Sequence, residues 1–135
     1  MTDATSSPTR RASEDRVTLS LDAASEAPLA LPTLAELEAA AELIYGVMPP
    51  TPQYAWPLLA ERAGVEVWVK HENHTPIGAF KVRGGLVYLD ALRRARPHVE
   101  GVVTATRGNH GQSVGFAARR YGIRAAVVAP HGNSV

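Results

Sequence analysis

Residues 102–129, VVTATRGNHGQSVGFAARRYGIRAAVVA, decide the fold class of this 135-residue chain. Val102–Thr106 is a short apolar run rich in β-branched residues, which reads as a buried strand. Arg107–Gly111 is polar and glycine-flanked, a turn. From Gln112 to Tyr121 the residues Val114, Ala117, Ala118 and Tyr121 recur at helical spacing, and Gly122 is a stop signal. Ala125–Ala129 reads as a second buried strand, ended by Pro130. Strand, helix and strand in this order make a βαβ unit, which implies parallel strands and a right-handed crossover.

Upstream, Val82, Leu86, Leu89 and Leu92 share one face of a helix that follows Lys81 and ends before Pro97. Gly84 and Gly85 weaken its first turn, so something must approach there closely. His71–Gly78 is a polar loop, Val65–Lys70 alternates with period two as a strand does, and Trp56–Ala63 reads as a short helical segment. Thr33 and Glu36 have the spacing of a capping box, opening a helix with Leu34, Leu37, Ala41 and Ile44 on one face. Gly46 and Pro49-Pro50 stop it. The class is therefore α/β, a parallel-sheet three-layer fold over residues 28–135. It is expected to be incomplete, since such a sheet needs cover on both faces and only three strands are visible. Residues 1–27, rich in Ser, Thr, Ala, Asp and Glu and without a continuous apolar stretch, read as a disordered extension.

Composition limits the function. Hydrophobic residues are 45% and charged residues 20%, as in one globular domain. With 14 basic and 13 acidic residues the formal charge is +1, which gives no electrostatic case for nucleic acid or anionic membrane as a partner. No apolar run approaches the ~20 residues of a membrane span. Absence of cysteine excludes disulfides and thiolate chemistry and fits a cytoplasmic location. Of the 14 basic residues only Lys70 and Lys81 are lysines. A lysine can lose its proton and act as a nucleophile, which an arginine cannot.

Two segments carry candidate chemistry. Thr106-Arg-Gly-Asn-His-Gly111 lies between a strand's carboxyl end and a helix's amino end, where unpaired N–H groups and the helix dipole favour an anion. The same glycines also suit an ordinary βα turn. In Gly78-Ala-Phe-Lys-Val-Arg-Gly-Gly85, Lys81 is either a solvated cation or an amine presented to a bound aldehyde, with Phe80 as a flat apolar wall. His71 and His74, with Glu72 between them, fall on a loop without a third ligand, so no metal site is expected. Tyr45, Tyr54, Trp56 and Trp68 read as core or subunit contacts.

Taken together, Glu72-Asn-His-Thr-Pro-Ile-Gly-Ala-Phe-Lys-Val-Arg-Gly-Gly85 and Thr106-Arg-Gly-Asn-His-Gly-Gln112 closely resemble the threonine/serine dehydratase family. These are pyridoxal-phosphate enzymes of the tryptophan synthase β-subunit fold, and the resemblance runs from about residue 33 to 135. It implies that Lys81 forms the internal aldimine with pyridoxal 5'-phosphate and moves protons at the substrate's α-carbon. Phe80 would pack on the cofactor ring, and Asn109 would bond its ring hydroxyl. Thr106, Arg107, Gly108 and His110 would grip the carboxylate of an amino acid substrate. The implied reaction is α,β-elimination of threonine or serine to a 2-oxo acid and ammonia, in a full-length homo-oligomer. Relatives of the fold also act as ammonia-lyases on other amino acids, as racemases or in threonine synthesis, and a non-catalytic remnant is the remaining alternative.

Three departures qualify the resemblance. Ala79 stands where the family usually has serine, and Arg107 where it commonly has a small residue. Arg107 either pairs with a carboxylate or points to solvent. The family's glycine-rich phosphate loop and the polar residue facing the pyridine nitrogen have no counterpart in these 135 residues. The chain is therefore expected to be the amino-terminal part of such an enzyme, inactive alone.

Overall fold

Thr33 starts the first helix as its spacing to Glu36 foretells. Its hydroxyl accepts from the Glu36 N–H at 3.3 Å, while the Glu36 carboxylate accepts from the Thr33 N–H at 2.7 Å. The structure, a computed structural model, describes residues 30–132, so the expected extension over 1–27 lies outside it. Helix α1 (Leu34–Tyr45) is followed by β1 (Gln53–Ala55), α2 (Pro57–Ala63), β2 (Trp68–Lys70) and a single 3-10 turn (Glu72–His74). Then come α3 (Lys81–Ala95), β3 (Gly101–Ala105), α4 (Asn109–Arg120) and β4 (Arg124–Val128).

The centre of the fold is the α3–α4 pair. Val82, Leu86 and Leu89 of α3 are almost fully buried against Ala117 and Ala118 of α4, with Ile123, Ile44 and Met48 closing the core. Each aliphatic side chain buried in this way contributes about 1.5–3 kcal/mol. That outweighs the roughly 1 kcal/mol lost at each of the two glycines in the first turn of α3. Packing rather than propensity holds that helix.

The two helices run parallel, because their like ends are tied together. Near the amino ends, Ser113 Oγ donates to the Lys81 carbonyl at 2.6 Å. At the carboxyl ends, the Arg93 guanidinium donates to the carbonyls of Tyr121 at 2.7 Å and Gly122 at 3.0 Å. Strands β3 and β4 pair in parallel from Gly101↔Arg124 to Ala105↔Val128, with α4 as the connection. The βαβ unit is present.

Several expectations need correction. The strand read over Val65–Lys70 shrinks to β2, which pairs antiparallel with β1, from Gln53↔Lys70 to Ala55↔Trp68. Among the described residues the parallel sheet therefore has two strands, and β1 was not foreseen. Neither β3 nor β4 is buried: Val103 is 76% and Val128 59% exposed. Their apolar composition shows that such strands suit burial but not what covers them. Leu34 and Leu37 are exposed too, and α1 reaches the core only through its carboxyl end, at Ile44. Tyr45, Tyr54, Trp56 and Trp68 are exposed, which removes the core half of their reading as core or subunit contacts.

Helix α4 begins at Asn109, three residues before the expected start. Gly111, read as part of the turn, lies inside the first helical turn because nothing larger fits. A Cβ there would come within 2.8 Å of Thr106 Cγ2 and 2.9 Å of Val127 Cγ1. The missing side chain lets the helix sit directly on the ends of both parallel strands.

Candidate active site

The segment before α3 is shaped by Thr75. Its buried hydroxyl donates to the Ala79 carbonyl and accepts from the Ala79 N–H, both at 2.8 Å. Gly78 completes this bend at φ +67°, a left-handed conformation that a side chain would strain. The bend delivers Phe80 and Lys81 to the start of α3, where Phe80 takes the capping position without any side-chain cap.

A second anchor replaces the missing cap. Arg83 donates from Nε to Glu72 Oε2 at 2.8 Å and from Nη2 to Glu72 Oε1 at 2.9 Å, a bidentate pair. Thr51 donates to Glu72 Oε1 at 2.6 Å, and Lys70 Nζ donates to the Thr51 carbonyl at 3.3 Å. Hydrogen bonds from Arg83 hold the Glu72 carboxyl below its usual range and raise the Arg83 guanidinium, against the opposing effect of burial. The first turn of α3 is thereby clamped to the end of β2.

Lys81 is exposed at this helix start, its Nζ 5.0 Å from the centroid of the Phe80 ring. Both line a cavity of about 620 Å³ between α3, β3 and α4. Arg83, Gly84, Gly85, Tyr88, Val103 and His110 also face it, so its mostly apolar wall carries two cations, Lys81 and Arg83, and an imidazole. Because α3 and α4 are parallel, two helix amino ends converge here, and each favours negative charge.

The structure thus brings Phe80, Lys81 and His110 together on one cavity. Asn109 is the first residue of α4, exposed and adjacent to His110, but is outside the cavity lining, as are Thr106, Arg107 and Gly108. The Thr106 hydroxyl accepts from the Gly108 N–H at 3.2 Å, and Gly108 caps α4 without a side-chain bond. Sequence reasoning missed Thr75, Ser113 and the Glu72–Arg83–Thr51 cluster. Only the weak-helix glycines signalled one of them, since Gly85 is where Ser113 approaches.

His71 and His74 have ring centroids 6.1 Å apart in a cluster with Tyr54 and Trp56. The Trp56 indole N–H donates to His71 Nε2 at 3.2 Å. Among the described residues no group of three or more His, Asp or Glu gathers around a common point.

Residues 44–135 match the family described as pyridoxal-phosphate dependent enzyme. The chain belongs to that family. Threonine dehydratase 1 of Solanum lycopersicum (biosynthetic, chloroplastic) is 38% identical over 87 residues, 64% of this chain and 14% of that protein. Serine racemase of Schizosaccharomyces pombe is 35% identical over 102 residues, 76% of this chain and 31% of that protein. The crystal structure of a pyridoxal 5'-phosphate-dependent aspartate racemase superposes with a TM-score of 0.71 at 30% identity, over 80% of this chain and 34% of the other. The chain thus spans between about a seventh and a third of the length of these relatives, and its fold is a part of their α/β fold.

The residues present fit the family's cofactor, pyridoxal 5'-phosphate. An exposed primary amine beside an aromatic face suits an aldehyde on a flat ring. Gly84 has open space where a Cβ would be, which leaves the backbone accessible on the cavity wall.

Proposed function

We propose that this chain carries the amine-bearing portion of a lyase that converts threonine or serine to a 2-oxo acid and ammonia. The observation that carries the proposal is the shared cavity, where Lys81 of α3 and Phe80 just before it meet His110 from α4. The bound cofactor supplies an electron sink for the charge that develops at the substrate's α-carbon. Lys81 holds the cofactor and takes the α-proton, and Phe80 supports the flat ring. Asn109 bonds the ring hydroxyl from the first position of α4. Thr106, Arg107, Gly108 and His110 orient the substrate carboxylate at the amino end of that helix, where the dipole favours it. The β-hydroxyl then leaves with a proton as water, and hydrolysis releases the nitrogen as ammonia.

Only two lysines are present, so the test is simple. The chain is mixed with pyridoxal phosphate, reduced with borohydride and mapped by mass spectrometry. Label concentrated at Lys81 and lost from that peptide in Lys81→Ala supports the reading; label spread equally over Lys70 and Lys81 refutes it. A racemase is the second reading, favoured by the superposition on aspartate racemase. Assays of an assembly that turns over separate the two, by 2-oxo acid or by the D-amino acid.

A further inference from the structure

Helices α3 and α4 approach closely where Ser113 faces Gly85. A Cβ on Gly85 would overlap Ser113 Oγ and lie 3.0 Å from the Ser113 carbonyl oxygen. Ser113 is 1% exposed, and its hydroxyl is aimed not at its own helix but across at the Lys81 carbonyl, 2.6 Å away. Helix α3 begins there without a side-chain cap, and its first turn contains two glycines. A helix start so weak by its own sequence takes its position from tertiary bonds. The Thr75 bend and the Arg83–Glu72 pair fix residues 79 and 83, on either side of Lys81. The bond from Ser113 falls on Lys81 itself.

We propose that Ser113 is a positioning residue for the Lys81 amine and that Gly85 is glycine so that Ser113 can reach it. Ser113 lies one helical turn beyond Asn109 and His110, so its bond also ties the start of α3 to the carboxylate seat on α4. At the amino ends this hydroxyl ties the two helices, as Arg93 does at their carboxyl ends. The proposal rests on the pyridoxal reading of Lys81 and adds what sets that amine in place.

The experiment measures the borohydride-trapped pyridoxal phosphate at Lys81 relative to Lys70, together with the melting temperature, in the full chain. Lys70 is an internal control, since its ammonium contacts the Thr51 carbonyl and Glu72 rather than Ser113. Ser113→Ala and Ser113→Gly remove the hydroxyl without adding bulk, and each is expected to lower the Lys81:Lys70 ratio about fivefold, the equivalent of one ordinary hydrogen bond. Gly85→Ala is expected to lower both the ratio and the melting temperature. Gly85→Ala/Ser113→Gly should regain most of that melting temperature, because the atom overlapped is gone, while its ratio stays low. An unchanged ratio in both single Ser113 variants overturns the positioning role and leaves the pyridoxal reading standing. A wild-type chain with no preference for Lys81 overturns both. A Gly85→Ala chain as stable as wild type overturns the close-approach argument, even where the ratio falls.

Discussion

Arg93 offers the sharpest test of the packing. Its guanidinium donates from Nε and Nη2 to the Tyr121 carbonyl at 3.2 and 2.7 Å, from Nη2 to Gly122 at 3.0 Å, and from Nη1 to Pro97 at 2.8 Å. The last carbonyls of a helix have no partner within it, and here one side chain of α3 satisfies those at the end of α4. In Arg93→Met the stem still packs but the donors are gone. The carbonyls of Pro97 and Gly122 are exposed enough to be taken over by water, so their loss matters little. The Tyr121 carbonyl is half-buried and loses a two-pronged bond to a charged group, worth about 2–3 kcal/mol. For a folded unit of roughly 100 residues that is a drop in Tm of about 10–20 °C.

The matching control is Arg94→Met. Arg94 pairs with Asp90 one turn away on the exposed face of the same helix, a contact worth only about 0.3–0.5 kcal/mol. Thermal melts followed by circular dichroism should therefore separate two neighbouring arginines clearly. Equal shifts in the two variants would refute the view that Arg93 ties the ends of α3 and α4 together.

Other outcomes follow from the same geometry. Glu72→Gln should cost about 1–2 kcal/mol near neutral pH by weakening the Arg83 pair. Folding depresses the Glu72 carboxyl, so its stabilisation is complete above the ordinary glutamate value of ~4.3 and is lost as pH falls through the lower folded value. The Tm gap between wild type and Glu72→Gln should accordingly narrow in melts taken at successively more acidic pH, and a constant gap would contradict this. Thr75→Val leaves the buried Ala79 N–H without its acceptor and should lose about 2 kcal/mol in urea titration, whereas Thr75→Ser should lose far less. Gly78→Ala forces a side chain into the left-handed region and should lower Tm by the equivalent of about 1 kcal/mol.

How much of this was legible in the residues depends on the range of the interaction. The capping box of Thr33 and Glu36, the start of α3 and the order strand, helix, strand after Gly101 are all encoded locally, within one or two turns. Pairing partners are not. Nothing within Val65–Lys70 indicates that only its last three residues form a strand, or that they pair with Gln53–Ala55 rather than extend the parallel sheet. Apolar composition was equally blind to cover. The valines at 103 and 128 look like those of any buried strand, yet they lie exposed on the described structure.

The site divides along the same line. Lys81 and Phe80 stand out because lysine is scarce in the chain and because the segment around them matches a family pattern. What holds them does not stand out. Ser113 is 32 residues from Lys81, Thr51 is 21 from Glu72, and serine and threonine are common enough that no spacing marks them. Glycine was the more telling residue, since it reports a close approach even when the neighbour is unknown. Two glycines in the first turn of α3 make a poor helix start, and the structure gives one of them, Gly85, its reason in Ser113. Gly111 has the same logic at the start of α4, against Thr106 and Val127. Both helix starts around the cavity are therefore built with side chains omitted where another element must come near. That is why the amine of α3 and the anion-favouring end of α4 lie at the same end of the fold.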